Sequence, residues 1–232
     1  MNTSLFKILL IALPLTLFAK LTTLTSTDGR SISASLEDYR SDKKTVDVRI
    51  NGKGRTIPIP MDRLDEASQN TVLEWSKLNT LIKYITITTE RIPAGKGKRV
   101  FNIKLNSQSK TSVNDIKIDY VIPIKETHLV KEEIGTGKKK KIKYNKEYTE
   151  KVITGTVNIQ SIKAQSSQTV STDPIITATP QTIDQGKNKE PKEVMNNHSI
   201  KGILLRFYIG DQLAREYESQ NGVRQIIDKY RS

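Results

Sequence analysis

Residues Asn51–Trp75 read NGKGRTIPIPMDRLDEASQNTVLEW, and a change of period inside this stretch decides how the first part of the chain folds. Asn51-Gly52-Lys53-Gly54 is a turn, because asparagine and glycine tolerate the positive φ that tight hairpins require. Ile57 and Ile59 follow at a spacing of two and are expected to face inward. Pro58 and Pro60 cannot donate ladder hydrogen bonds, which places this strand at a sheet edge or the end of a barrel. After Met61 the apolar spacing lengthens to nearly four. Asp65 is then the N-cap of a helix, with Glu66 in the first turn where the helix dipole favours negative charge. Val72, Leu73 and Trp75 (the chain's single tryptophan) are expected to form the apolar side of a short helix, with Trp75 plugging the core.

Upstream of this stretch the pattern is β. Thr27-Asp28-Gly29-Arg30 carries the Asp-Gly signal of a hairpin. Ile32, Ala34 and Leu36 alternate with polar residues beyond it, and Val46, Val48 and Ile50 alternate again after the polar connection RSDKK. Four short strands and one helix predict a small half-barrel with the helix over an open end.

The segments TSTDGRSISASLEDY (Thr25–Tyr39) and KTVDVRINGKGRTIPIPMDRLDEASQNTVLEW (Lys44–Trp75) resemble the SLA homology domain one, an SH3-like barrel of yeast endocytic adaptors with relatives in exported proteins of planctomycetes and verrucomicrobia. The shared features are the Asp-Gly hairpin, a middle strand ending in Asn-Gly, and the order IP-x-x-x-L, acidic cap, Val and Trp. The resemblance implies an SH3-like fold at residues 20–78 and a binding role. It assigns no peptide-contacting residue, because the matching positions are turn and core positions.

From Tyr84 the chain alternates once more. Ile85 and Ile87, then Phe101, Ile103 and Leu105, then Ile116, Ile118, Tyr120, Ile122 and Ile124 each mark one face of a strand. KIKYNKEYTEKVITGTVNIQSI, TDPIITAT and IKGILLRFYIGDQLAREYE supply further strands. The fold class read from the whole is mainly β: a small SH3-like barrel with one short helix, followed over residues 82–232 by an antiparallel β-sandwich. Phe101–Ile124 and Gly202–Ser219 resemble an immunoglobulin-like module of the same exported proteins. Arg206, Tyr208, Gly210 and Glu216 stand where that module's last hairpin carries an arginine, a tyrosine, a glycine and a glutamate in that order. PQTIDQGKNKEPKEVMNN (Pro180–Asn197) is too polar to offset ordering entropy by burial and is expected to be a mobile loop. The tail is read as either a short helix, with Val223, Ile226 and Ile227 inward, or a frayed end.

Residues 1–19 read as a secretory signal peptide: Lys7, then an apolar run from Ile8 to Phe18, then a small residue at Ala19. That run is shorter than the roughly 20 residues a membrane-spanning helix requires. An exported location, periplasmic, envelope-associated or extracellular, follows as an expectation, with the retained anchor as the other reading. The chain has no cysteine, which removes disulfides, thiol nucleophiles and cysteine-ligated metals. Its formal charge is +13, or +12 without Lys7, a balance that favours encounter with anionic polymers or surfaces.

Catalytic motifs are absent from the sequence. No G-x-S-x-G or P-loop occurs, and Gly52/Gly54, Gly95/Gly97 and Gly135/Gly137 lack the third glycine of a dinucleotide site. The two histidines, His128 and His198, have no histidine at metal-ligand spacing and read as surface residues. Asp65/Glu66 reads as a helix cap and Glu132/Glu133 as part of a charged loop. No cofactor, metal or catalytic residue is assigned. One local feature stands out, GTGKKKKIKY (Gly135–Tyr144). Lys138, Lys139, Lys140, Lys141 and Lys143 are candidate contacts to phosphate-rich polymer or anionic lipid, or else a solvated loop or a lysine-protected edge strand. The functional expectation is a non-enzymatic, protein-binding or adaptor-like module with an envelope or exported protein as partner and no sequence-specific nucleic-acid binding. Two alternatives stay open: a charge-driven binder of anionic polymer, lipid surface or nucleic acid, and a hydrolase without a recognisable motif.

Overall fold

The computed structural model describes residues 21–50, 54–135, 141–185 and 189–232. The chain is mainly β, built from antiparallel sheets and two helices, and it divides into two compact units between Ser76 and Lys77. The expected signal peptide, the Asn51–Lys53 part of the first glycine turn and Lys138 to Lys140 lie outside the described residues.

The first unit is an antiparallel meander of β1 (Thr22–Thr25), β2 (Ser31–Arg40), β3 (Thr45–Ile50) and β4 (Thr56–Pro60). Its alternation fills a small core of Leu24, Ala34, Val46, Val48, Met61, Leu64 and Val72. The edge at β1 meets the chain just past β4. Thr27 N–H donates to Arg63 O at 3.0 Å and Asp65 N–H to Thr25 O at 2.9 Å, around a Ser26–Leu64 bridge. The sheet thus curls back on itself, as a small barrel does. Gly29, at φ 83°, makes the first hairpin turn.

Helix α1 (Glu66–Lys83) is capped by Asp65, whose Oδ1 accepts the Ser68 N–H at 2.8 Å. The Ser68 hydrogen bonds hold the Asp65 carboxyl below its ordinary range. Ser68 Oγ in turn accepts the Thr25 N–H at 2.8 Å, fastening the helix start to β1. Three expectations are corrected here. The helix is not short: it runs for 18 residues, across the division between units. Trp75 is only half-buried and stands outside the core cluster, and Leu73 is 38% exposed; Val72 alone of the three is fully buried. Ile57 is also 38% exposed, since it opens an edge strand that no further strand flanks. Val72→Ala is therefore expected to lower the stability of the first unit by about 2 kcal/mol, read as an earlier urea transition by circular dichroism.

The second unit packs two sheets around one core. One sheet has β5 (Ile85–Pro93) and β6 (Lys98–Ser107), with β9 (Ser167–Ser171) and β10 (Ile175–Ile176) on the other side of β6. The other has β7 (Val113–Ile134) flanked by β8 (Lys141–Ile162) on one side. On its other side stand β13 (Ser199–Ile200) and β14 (Leu204–Ile209), the latter paired with β15 (Gln212–Glu218). Ile85, Ile87, Phe101, Ile103, Leu105, Ile116, Ile118, Ile122, Ile124 and Phe207 interleave between the sheets. The tail is ordered as α2 (Val223–Arg231), which lays Val223 and Ile227 on Val121 and Leu204 on the far face of β7 and β14.

Arg206, Tyr208, Gly210 and Glu216, the four residues that carry the resemblance of the last hairpin, have structural roles. Arg206 and Glu216 face each other across β14 and β15 and pair at 2.9 Å; Gly210, at φ 56°, turns the hairpin. Lys117 lies 5.0 Å from the Tyr208 ring. Burial alone would raise the Glu216 carboxyl, but hydrogen bonds from Arg206 and Arg224 outweigh it and hold the group below its ordinary range.

Pro180–Asn197 does not form a loop throughout. β11 (Ala178–Ile183) and β12 (Lys192–Asn197) pair with each other over six residues, with residues 186–188 outside the described set. The physical reason is hydrogen bonding in place of apolar burial. Gln181 Nε2 donates to Leu129 O at 2.6 Å while its Oε1 accepts the Leu129 N–H at 3.0 Å, so one amide side chain occupies the β7 edge as a strand residue would. Asn196 Nδ2 donates to the same Gln181 oxygen and fixes the amide's orientation.

Candidate functional site on the distal β-ribbon

β7 and β8 pair over 22 residues each, from Val113↔Ile162 to Ile134↔Lys141. The buried positions of β7 end at Ile124. Beyond it the two strands continue as a ribbon with solvent on much of both faces. Directly opposite residues share a face, so Val130 and Asn145, Glu132 and Lys143, and Ile134 and Lys141 form one surface. Val130 is 40% exposed and Ile134 is 47% exposed, while Lys141 and Lys143 are exposed beside them. The opposite face carries Tyr148, 54% exposed, with the Lys125 ammonium 4.2 Å from its ring.

Of the five lysines singled out from the sequence, Lys141 and Lys143 stand in the first residues of β8, which spans the stretch KIKYNKEYTEKVITGTVNIQSI read as a strand. Glu132 and Glu133 likewise belong to β7 rather than to a charged loop. Their carboxylates temper the local charge. Lys143 stands opposite Glu132, and Lys131 reaches Asp184 at 3.3 Å and Glu133 at 3.6 Å. The Asp184 hydrogen bond holds the Lys131 ammonium above its ordinary range. Tyr144 Oη accepts the Asp184 N–H at 2.7 Å and donates to Asp184 O at 3.0 Å, so the far end of β11 is pinned to the ribbon.

Val130 and Ile134 were not singled out from the sequence. The run ETHLVKEEI alternates at Val130, Glu132 and Ile134, but glutamates and a lysine dilute the period. The two histidines also meet, which their separation of 70 residues concealed (198 − 128). Their ring centroids are 6.4 Å apart at the base of the ribbon. His198 Nδ1 accepts the Thr127 N–H at 3.1 Å, so the neutral ring carries its proton on Nε2, 3.2 Å from Thr179 Oγ1. Both ring nitrogens are thereby occupied in a contact joining β7 to β11. Among the described residues no group of three or more His, Cys, Asp or Glu could hold a metal ion.

Burial pushes the His198 pKa below its ordinary value of 6.5, with Glu126 opposing and His128 and Lys151 reinforcing that shift. The folded ring therefore binds its proton less readily than the unfolded one. Its stabilising contact is complete above the ordinary value and is lost as pH falls through the lowered folded value. Amide exchange at Thr127 is expected to accelerate on acidification from neutral pH, after correction for intrinsic rates, and the His198→Asn variant should lose that extra dependence.

No known family model matches the chain, and no curated protein matches it either.

Proposed function

We propose that the chain is an exported, non-enzymatic binding module of the periplasm or cell envelope, and that it engages a protein partner through the distal ribbon. The observation that carries this reading is the placement of Val130 and Ile134, 40% and 47% exposed, on one face of the ribbon with Lys141 and Lys143. Exposed apolar side chains on one face of a hydrogen-bonded ribbon, about 13 Å apart with Glu132 between them, offer dehydration energy, and the lysine stems opposite add apolar contact with a charged rim. The resemblance of residues 20–78 to an adaptor barrel supports binding in the same sense, and the signal-like residues 1–19 support export.

A charge-driven reading is favoured by Lys141 and Lys143 themselves, with an anionic polymer or lipid surface as ligand. Glu132 beside them weakens it by lowering the local positive potential, and on the other face Glu133 and Asp184 offset Lys131. The two readings separate by salt. Pull-down from envelope extract with the full chain is compared with a Val130→Ser/Ile134→Ser variant and a Lys141→Gln/Lys143→Gln variant. A partner that survives high-salt washing and is lost with the serine variant supports protein recognition. Ligands that wash off in salt and depend only on the two lysines support the charge-driven reading.

A further inference from the structure

A sheet edge is a row of unpaired N–H and C=O groups, and natural edges are blunted by charge, proline or short length. Among the described edge strands, the longest stretch without a charge or a proline lies on β8. β4 carries Pro58 and Pro60; β5 carries Glu90, Arg91 and Pro93; β15 carries Arg215, Glu216 and Glu218; β9 has only five residues. β8 pairs with β7 alone, and no element other than β7 gives its backbone a hydrogen bond among the described residues. Its distal half, residues 141–151, is guarded by Lys141, Lys143, Lys146, Glu147, Glu150 and Lys151. Its proximal half, residues 152–162, reads VITGTVNIQSI, with neither a charge nor a proline.

This unguarded stretch also leaves apolar surface unfinished. Ile153 and Val157 pack against the main core yet remain only partly buried, at the rim where the sheet stops. The residues favour extended structure, being rich in valine, isoleucine and threonine. α2 packs on the face of the sheet near Val152, and among the described residues no backbone hydrogen bond reaches the outer edge of β8.

We infer that residues 152–162 of β8 pair antiparallel with the same residues of a second copy of this chain, joining two sheets into one continuous sheet. The charge layout selects this occupant and this position. A twofold pair centred on Val157 sets Val152 opposite Ile162, Thr154 opposite Gln160 and Thr156 opposite Asn158, so no charge faces another within 152–162, and Lys151 meets Lys163 only at the two ends, outside the paired stretch. A pair centred on Lys146 would set Lys141 against Lys151 and Lys146 against itself, which like-charge repulsion disfavours. Isologous pairing of one patch with itself is the commonest oligomer geometry. Because each chain carries +13, the copies repel at long range, and added salt strengthens this association. That dependence is opposite to binding driven by the ribbon lysines, so the inference stands independently of the proposed function.

The test is sedimentation velocity of the full chain over a concentration series, at low and moderate salt. The wild type is expected to shift from monomer to dimer as concentration rises, at lower concentration in the higher salt. Thr154→Lys/Gln160→Lys and Thr154→Glu/Gln160→Glu should each remain monomeric with unchanged circular dichroism, and an equimolar mixture of the two should dimerise. Amide exchange of residues 152–162 in the wild type should slow with concentration, a readout that needs no variant. A wild-type chain that stays monomeric throughout overturns the inference. So does a dimer that both variants still form, or one whose formation leaves exchange of 152–162 unchanged.

Discussion

Replacing Gly155 with alanine is expected to lower the stability of the second unit by about 3 kcal/mol, because overpacking at this position has no small adjustment open to it. Gly155 lies directly opposite Tyr120 on the β7–β8 ladder, and the tyrosine ring lies across it. A methyl group there would sit 2.1 Å from Tyr120 Oη and 2.3 Å from the ring carbon bearing it. The ring cannot easily withdraw. It is 2% exposed, and its hydroxyl donates to Asp173 Oδ2 at 2.9 Å and accepts the Asp173 N–H at 3.3 Å. Burial and the Asp173 hydrogen bond both raise the Tyr120 pKa, so the phenol stays a donor throughout the ordinary pH range. Urea unfolding of the single variants and of Tyr120→Ala/Gly155→Ala forms a cycle. The double variant should be more stable than the two single losses summed, since the methyl then enters space the ring has left. Additive losses would show that the ring and the glycine are independent.

The second large effect is expected at Gly202, just before β14. Its φ of +113° lies where residues with a Cβ are strained, and a Cβ would stand 2.6 Å from Val223 Cγ2 and 2.9 Å from Ser219 Oγ. Neither neighbour is free to yield. Val223 is buried under α2, and Ser219 Oγ accepts the Ile203 N–H at 3.0 Å while Ser219 N–H donates to Ile203 O at 3.0 Å. Gly202→Ala should cost about 2 to 3 kcal/mol, combining backbone strain with the displacement of Val223. The displacement should be local first. Amide exchange in α2 is expected to rise ahead of exchange in β7, and uniform acceleration across the unit would contradict this account of the contact.

Neither glycine could be distinguished from an ordinary turn or strand glycine by sequence, because each is required by a residue far along the chain. Gly155 answers to Tyr120, and Gly202 to Val223. What the sequence does reveal depends on whether a segment has one buried face. The Asp28-Gly29 hairpin, the alternation of Ile116 to Ile124 and the amphipathic tail at Val223 and Ile227 are all legible, since water lies on one side and core on the other. Past Ile124 that asymmetry ends. β7 continues to Ile134 with solvent on much of both faces, so Glu132 and Glu133 read as a loop although the ladder persists. β11 and β12 are hidden for the same reason, their pairing being supported by Gln181 and Asn196 amides instead of apolar burial. Trp75 misleads in the other direction: a large aromatic beside Val72 invites a core position, but the helix turns Val72 inward and leaves Trp75 half-buried.

Lys141 and Lys143 were visible as part of a lysine run, whereas Val130 and Ile134 enter the candidate surface only through the β7–β8 register. That register also explains why the run should not be treated as a bare cationic patch. It sets Glu132 and apolar side chains among the lysines, and the mixture favours a protein surface over a uniform polyanion. The lower edge of the same hairpin, residues 152–162, differs in kind, being uncharged along its length.

The measurement that tests this account most directly is photo-crosslinking from the ribbon. A photoreactive residue is placed at Ile134 in one sample and at Thr86, on the outer face of β5, in another. Both full chains are then exposed to envelope extract in high salt. The account predicts a discrete protein adduct from position 134, absent from position 86 and suppressed by Val130→Ser. Equal labelling from both positions, or adducts that form only in low salt, would contradict a specific protein-binding surface on the ribbon.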